Sequence, residues 1–286
     1  MKTILAPTDF SDNARNAVNY AVEIAKLTKA KLILFHAFHI PVTNSDMPDG
    51  VIPIEAIEKE NNNRLKGIMK EIQNKNNDVL NIECICKMGL AVDEITEMVK
   101  TKNIDLVIMS IRGANYLGEI LMGSITTALI RKGCCPVVVI NHNVKFKNIK
   151  KIVFASDYHE ISDESIMKPL KEFAELFKSH VYVFNVVREL EAVSFTGKAA
   201  VGNLLEHSLE GTDHTFHFAE QEDVIESINT FAANKKADMI VMISHKHSLL
   251  KNIFNESNTK KMAFHTHIPL LALHTCKNRN QKNSAV

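Results

Sequence analysis

Glycines and hydroxyls set between two apolar runs carry the most legible chemistry in this sequence. In the stretch MSIRGANYLGEILMGSITTALI, Gly113 is followed by Gly123-Ser124 in the spacing G-x9-G-S, with Thr126 just beyond. Glycine has no Cβ, so main chain can close on a phosphate unobstructed. Gly123-Ser124 leads into an apolar helical pattern, and the free N–H groups and dipole of a helix start favour an anion. Ser124 and Thr126 would add hydroxyl donors. The same residues also read as turn glycines followed by a capping serine, and spacing alone leaves both readings open. No lysine follows Gly123, so this is not the Walker loop, and no GxGxxG follows the first apolar run.

A second chemical candidate is Asp9, in Pro7-Thr8-Asp9, at the end of that first run. Its carboxylate could accept a hydrogen bond from a base amine or a ribose hydroxyl, or it could cap the helix that follows. Residues 36–50 form a long connection of the kind that often carries function. Histidines are the remaining candidates. His245, His247, His265 and His267 cluster in sequence, but positions i and i+2 do not share a helix face, and no cysteine or acidic ligand pattern accompanies them. They are read as solvated loop residues, His214 and His217 as weaker candidates still, and no metal is assigned.

Composition bounds the partners. The chain has 286 residues, 45% hydrophobic and 23% charged, with a net charge of +1, so neither nucleic acid nor an anionic membrane is expected as a partner. No apolar run approaches the roughly 20 residues needed to span a bilayer. The N-terminal apolar run is too short, and too soon acidic, for a signal peptide. Cys84, Cys86, Cys134, Cys135 and Cys276 show no CxxC spacing, which points to a reduced, cytoplasmic protein.

The elements that must position these groups come in an alternating order. Thr3–Pro7, Leu32–Ala37, Val79–Lys87, Asp105–Met109 and Pro136–Ile140 read as strands, apolar enough to be buried on both faces of a parallel sheet. Between the first two, Ser11 is placed to cap a helix whose apolar stripe is Ala14, Ala17, Val18, Ala21, Ile24 and Ala25. Further helices are expected around 53–74, around 92–101 and over 124–132, the last ended by Gly133. The chain then repeats itself. KTILAPTDF answers to KKIVFASDY, DLVIMS to DMIVMI and PVVVI to PLLAL, with Asp9 opposite Asp157. The expectation is α/β: two tandem, doubly wound, five-stranded parallel sheets of Rossmann-like type, over 1–143 and 148–276, with a polar tail over 277–286. Ligands of such sheets bind beyond the carboxyl ends of the strands, where strand order reverses.

These residues resemble the universal stress proteins in their tandem, UspA-like form. The likeness rests on ILAPTDFS, on Gly113-x9-Gly123-Ser124, on Thr126 and on the closing CCPVVVI, and it covers nearly the whole chain. The family motif is G-x2-G-x9-G-[ST], and members carrying it bind ATP. By position the resemblance implies that Pro7, Thr8 and Asp9 meet an adenosine and that Ala37 lines the adenine. Met109 and Ser110 would lie beside sugar and phosphates, with Gly113, Gly123, Ser124, Ile125 and Thr126 holding the phosphate chain. The implied ligand is ATP or AMP, with or without magnesium. Ser110 departs from the motif, standing where its first glycine belongs, and would resist if that position needs positive φ.

The second copy lacks the loop. Aligned without a gap, Ile243, Lys246 and Glu256 replace Ser110, Gly113 and Gly123, while Ser257 and Thr259 survive. A glutamate at a helix start satisfies the dipole and repels an anion. The expectation is therefore one competent site, in the first half, within a stress-response binding module and not an enzyme. A nucleotide-free scaffold with an unknown protein partner, or a slow ATPase, are the alternatives. No HxGH element or SGGxDS loop supports catalysis. Family members pair through their last strand, so PVVVI is expected to pair with PLLAL within the chain, leaving a further homodimer open.

Overall fold

The computed structural model describes residues 1–39, 53–77, 80–111, 124–156, 164–187, 205–221, 223–244 and 268–274. In the first half β1 (Thr3–Pro7), α1 (Asp12–Thr28), β2 (Lys31–Phe38), α2 (Ile54–Lys75), β3 (Ile82–Met88), α3 (Ala91–Thr101), β4 (Leu106–Ser110), α4 (Ser124–Lys132) and β5 (Val137–Ile140) alternate strand with helix. The second half runs β6 (Lys151–Ala155), a 3-10 turn (Glu164–Met167) into α5 (Lys168–Phe177), β7 (His180–Val187), β8 (His214–Glu220), α6 (Val224–Lys235), β9 (Met239–Ser244) and β10 (Leu270–His274).

All the strands join one sheet in the order β3-β2-β1-β4-β5-β10-β9-β6-β7-β8. Among the described residues pairing is parallel within each half and antiparallel at the join, where Leu271 of β10 faces Val138 of β5. The expected doubly wound halves are thus present, fused edge to edge through PVVVI and PLLAL. That fusion gives each half's last strand a partner and removes two exposed edges.

Local chemistry explains the elements. Ser11 Oγ accepts from Ala14 N at 3.2 Å and starts α1, whose alanine-rich stripe lies flat on the sheet with Ala14, Ala17, Val18, Ala21, Ile24 and Ala25 buried. Gly133, at φ +60, ends α4 in a left-handed conformation that glycine adopts without a Cβ penalty. β3 joins the ladder only at Ile82, opposite Leu32, and Leu80 before it packs into the core instead. Val79, expected to begin that strand, lies outside the described residues.

The repeat is visible in single hydrogen bonds. Asp105 Oδ2 accepts from the backbone N of Lys2 at 2.6 Å and of Thr3 at 3.0 Å. In the second half Asp238 Oδ2 accepts from Lys150 N at 2.9 Å and Lys151 N at 3.0 Å. Both aspartates close the amino-terminal edge of the sheet, opposite the end where ligands bind. Between the halves, Asn16 Nδ2 donates to the carbonyls of Asn141 (3.0 Å) and Val144 (2.9 Å), and the Phe146 ring lies between those of Tyr20 (5.1 Å) and Phe177 (6.2 Å). Among the described residues no helix is long and apolar enough to cross a membrane.

Candidate functional site

In the first half the helices divide between the faces of the sheet. Buried residues of α1 and α2 share one core, and those of α3 and α4 share the other. The chain changes face where β1 lies beside β4, so the loops leaving these strands part and open a crevice at their carboxyl ends. A cavity of about 290 Å³ occupies it.

Pro7, Thr8, Asp9, Ala37, Met109, Ser110, Ser124, Ile125 and Thr126 all line this cavity. The other expected positions, Gly113 and Gly123, lie outside the described residues. Sequence reasoning did not include Ser11, Ala14, Phe35, His36, Ala91 and Ile95, which complete the wall. Ala91 and Ile95 begin α3, which follows the edge strand and reaches the cavity only because the helix crosses back over β2. Phe35 and His36 adjoin Ala37 on β2, and the end of a strand next to a long loop was the available signal.

The turn after β1 is built to present Asp9. Thr8 N donates to Phe35 O at 2.8 Å, and His36 Nδ1 donates to Thr8 O at 2.8 Å. Phe10 then takes φ 66, a left-handed conformation that costs a residue with a Cβ about 1–2 kcal/mol. It is held there by its N–H on Thr8 Oγ1 at 3.0 Å, by its ring against His36 (4.4 Å between centroids), and by the Arg64 guanidinium 3.9 Å above. Asp9 Oδ1 accepts from Ser11 N at 3.0 Å and from Ser11 Oγ at 2.5 Å. The helix cap is therefore Ser11 and not Asp9, whose exposed carboxylate holds the capping hydroxyl through Oδ1. Burial holds the His36 imidazole below its ordinary range, and Arg64 lowers it further against the opposing pull of the Thr8 carbonyl and Asp9.

On the opposite wall, Ser110 is the last residue of β4 and pairs with Ile140 in the parallel ladder. It is not among the residues with positive φ, so the strain a serine would meet in a left-handed glycine position does not arise. Thr126 Oγ1 donates to Ser110 O at 3.3 Å and joins β4 to the first turn of α4. Ser124, Ile125 and Thr126 form the first described turn of α4 on the cavity wall. The backbone N–H groups of a helix start lack intrahelical partners. Such a turn suits an anion.

The second half keeps the frame of this turn with different residues. Ser156 N donates to Phe184 O at 3.0 Å, and Asn185 Nδ2 donates to Ser156 O at 2.8 Å, reproducing the Thr8–Phe35 and His36–Thr8 bonds. Asp157, Lys246, Glu256, Ser257, Thr259 and the histidines 245, 247, 265 and 267 lie outside the described residues.

Comparison with known proteins places the fold and the family. The model of the universal stress protein family matches the chain twice, over residues 1–141 and 148–274. Universal stress protein MJ0577 of Methanocaldococcus jannaschii is 30% identical over 152 residues, covering 49% of this chain and 94% of that protein. A universal stress protein structure from Archaeoglobus fulgidus covers 96% of this chain and 97% of its own, with 17% identity and a TM-score of 0.71, a likeness of fold through both halves. A universal stress protein solved in complex with cAMP is 23% identical and covers 49% of this chain and 97% of its own, with a TM-score of 0.37.

Proposed function

The chain belongs to the universal stress protein family, and from that premise we propose that its first half binds an adenine nucleotide, ATP or AMP, in the β1–β4 crevice. One observation carries the reading: residues from β1, β2, β4 and α4, distant in sequence, line a single cavity at the point where the sheet changes face. Ala37, Phe35, Met109 and Ile95 give that cavity an apolar side for a base. Asp9 gives it a carboxylate for a base amine or ribose hydroxyl, and the start of α4 gives it N–H donors for phosphate. Gly113 and Gly123 fall in sequence between β4 and α4 and, by the family motif, would close on the phosphate chain. Asp9 is the one carboxylate on the wall among the described residues, so a magnesium ion accompanying ATP would draw its other ligands from phosphates and water.

The site suits holding a ligand more than transforming one. His36 is committed through Nδ1 to the Thr8 carbonyl, and Asp9 Oδ1 is committed to Ser11. Both groups build the turn, which favours a module whose surface changes with occupancy over a catalyst. Glu256 in place of Gly123 favours a second half without an equivalent phosphate site. Native mass spectrometry of the gently purified chain tests the reading. One adenine nucleotide per chain is the expected result. A chain that carries none, and takes up none when ATP is added in large excess, would instead support the nucleotide-free scaffold.

A further inference from the structure

At the far edge of the second half, a row of polar side chains comes into line across two strands. Thr215 and His217 alternate onto one face of β8, the outermost strand, with Asp213 just before it on the same side. On the neighbouring β7, His180 and Tyr182 share that face, Tyr182 directly opposite Thr215. His180 Nδ1 lies 2.9 Å from Asp213 Oδ2. His180 Nε2 lies 2.9 Å from Thr215 Oγ1, and His217 Nε2 lies 3.1 Å from the same oxygen. An ionised carboxylate only accepts, so the His180 proton is on Nδ1 and the Nε2 lone pair points at Thr215. Two imidazole nitrogens from different strands thus converge on one point.

We propose that His180 and His217 form a binding site for a divalent transition-metal ion of the class imidazole favours, with Zn²⁺ as the probe. This site is independent of the nucleotide reading. Zinc–imidazole bonds are about 2.0–2.1 Å, so each ring moves in by about 1 Å from its present contact with Thr215. His217 carries its proton on Nδ1 in the bound form, which frees Nε2 as a ligand. The ion takes the place of the Thr215 hydroxyl between the two rings, that side chain turning to lie beside it, and water fills the remaining positions. Asp213 does what a carboxylate behind a ligating histidine does, fixing the tautomer and aim of the ring.

The rings are held before any ion arrives. His180 packs on Tyr182 at 4.5 Å between centroids, and His217 packs on Phe231 at 5.1 Å and Tyr182 at 5.6 Å. Access is open, since the Asp213 side chain is 77% exposed and that of His180 is 25% exposed. One feature opposes a cation: Lys235 Nζ lies 4.9 Å from the Tyr182 ring centre and 5.4 Å from that of Phe231. Among the described residues no group of three or more His, Cys, Asp or Glu is placed around a common ion position. Two protein nitrogens with open positions make an exchangeable site, unlike the closed four-ligand cage of structural zinc. Sequence reading placed His217 among the weaker candidates and did not consider His180, which lies on another strand.

The test is a Zn²⁺ titration of the full chain by calorimetry, with imidazole nitrogen shifts followed by NMR. One ion should bind per chain, moving the Nε2 signals of His180 and His217. His180→Asn and His217→Asn should each abolish that event, and Asp213→Asn should weaken it about tenfold or more. Lys235→Met should tighten it, a gain that a misfolded variant could not produce. Zinc binding that survives in the His180→Asn/His217→Asn double variant, or no binding at millimolar Zn²⁺, would overturn the proposal.

Discussion

His36 Nδ1 lies 2.8 Å from the carbonyl oxygen of Thr8, and in the second half Asn185 Nδ2 lies at the same distance from the carbonyl oxygen of Ser156. Two different side chains serve the same purpose, since each ties the end of its half's second strand to the turn after its first. Thr8 is buried, so its carbonyl has little water to fall back on. His36→Ala should therefore cost about 1–3 kcal/mol in urea unfolding, the range for stranding a buried acceptor. His36→Asn, copying the second half, should recover most of that loss. Equal losses in the two variants would show that the bond itself does not matter.

The same histidine gives the fold a pH dependence. Burial is the main reason its folded pKa is low, so as pH falls the unfolded chain takes up a proton before the folded chain does. Its contribution is whole above the pKa of an unfolded histidine and is lost as the pH falls through the lower folded value. Melting temperature should decline between about pH 7.5 and about pH 5, the range where imidazole titrates, and the slope should be shallower in His36→Asn. An unchanged slope in that variant would assign the dependence to other groups.

Ser110 sits in extended backbone, paired with Ile140. Restoring the motif's glycine should thus relieve no strain. Ser110→Gly should destabilise β4 by about 0.5–1 kcal/mol through added backbone freedom. Its nucleotide affinity, measured by calorimetry, should stay within a few-fold of the parent. A large gain in affinity would mean that the serine obstructs the ligand.

The join between the halves is core and not surface. Leu271 is fully buried opposite Val138, whereas Leu27 on α1 is 50% exposed. Leu271→Ala should cost about 2–5 kcal/mol, against less than about 0.5 kcal/mol for Leu27→Ala, both by urea denaturation. Similar small losses at the two positions would show that the β5–β10 seam contributes little.

Much of this architecture was legible in residue order. The span of β1, the span of α4, the Ser11 cap and the Gly133 stop follow from apolar period and turn chemistry, which are local signals. The family resemblance implied that β5 meets β10 within the chain, and the structure adds that they meet antiparallel. The paired aspartates, Asp105 and Asp238, were visible as repeat markers, but their role at the strand starts was not. Asp9 left cap and ligand readings open, and the structure gives the cap to Ser11. Ala91 and Ile95 were missed as cavity wall because their approach depends on how α3 crosses the sheet, whereas His36 adjoined the long loop that was noted. His180 and His217, by contrast, become neighbours only when β7 and β8 pair in register.

On the proposed reading, phosphate is held by bare main chain in the first half, where the second half carries a glutamate at the aligned position. Titrating ATP into the parent chain and into Gly123→Glu tests it most directly. The parent should bind one nucleotide, and the variant should bind none while keeping the parent's melting temperature. Undiminished ATP binding by a folded Gly123→Glu chain would contradict the assignment.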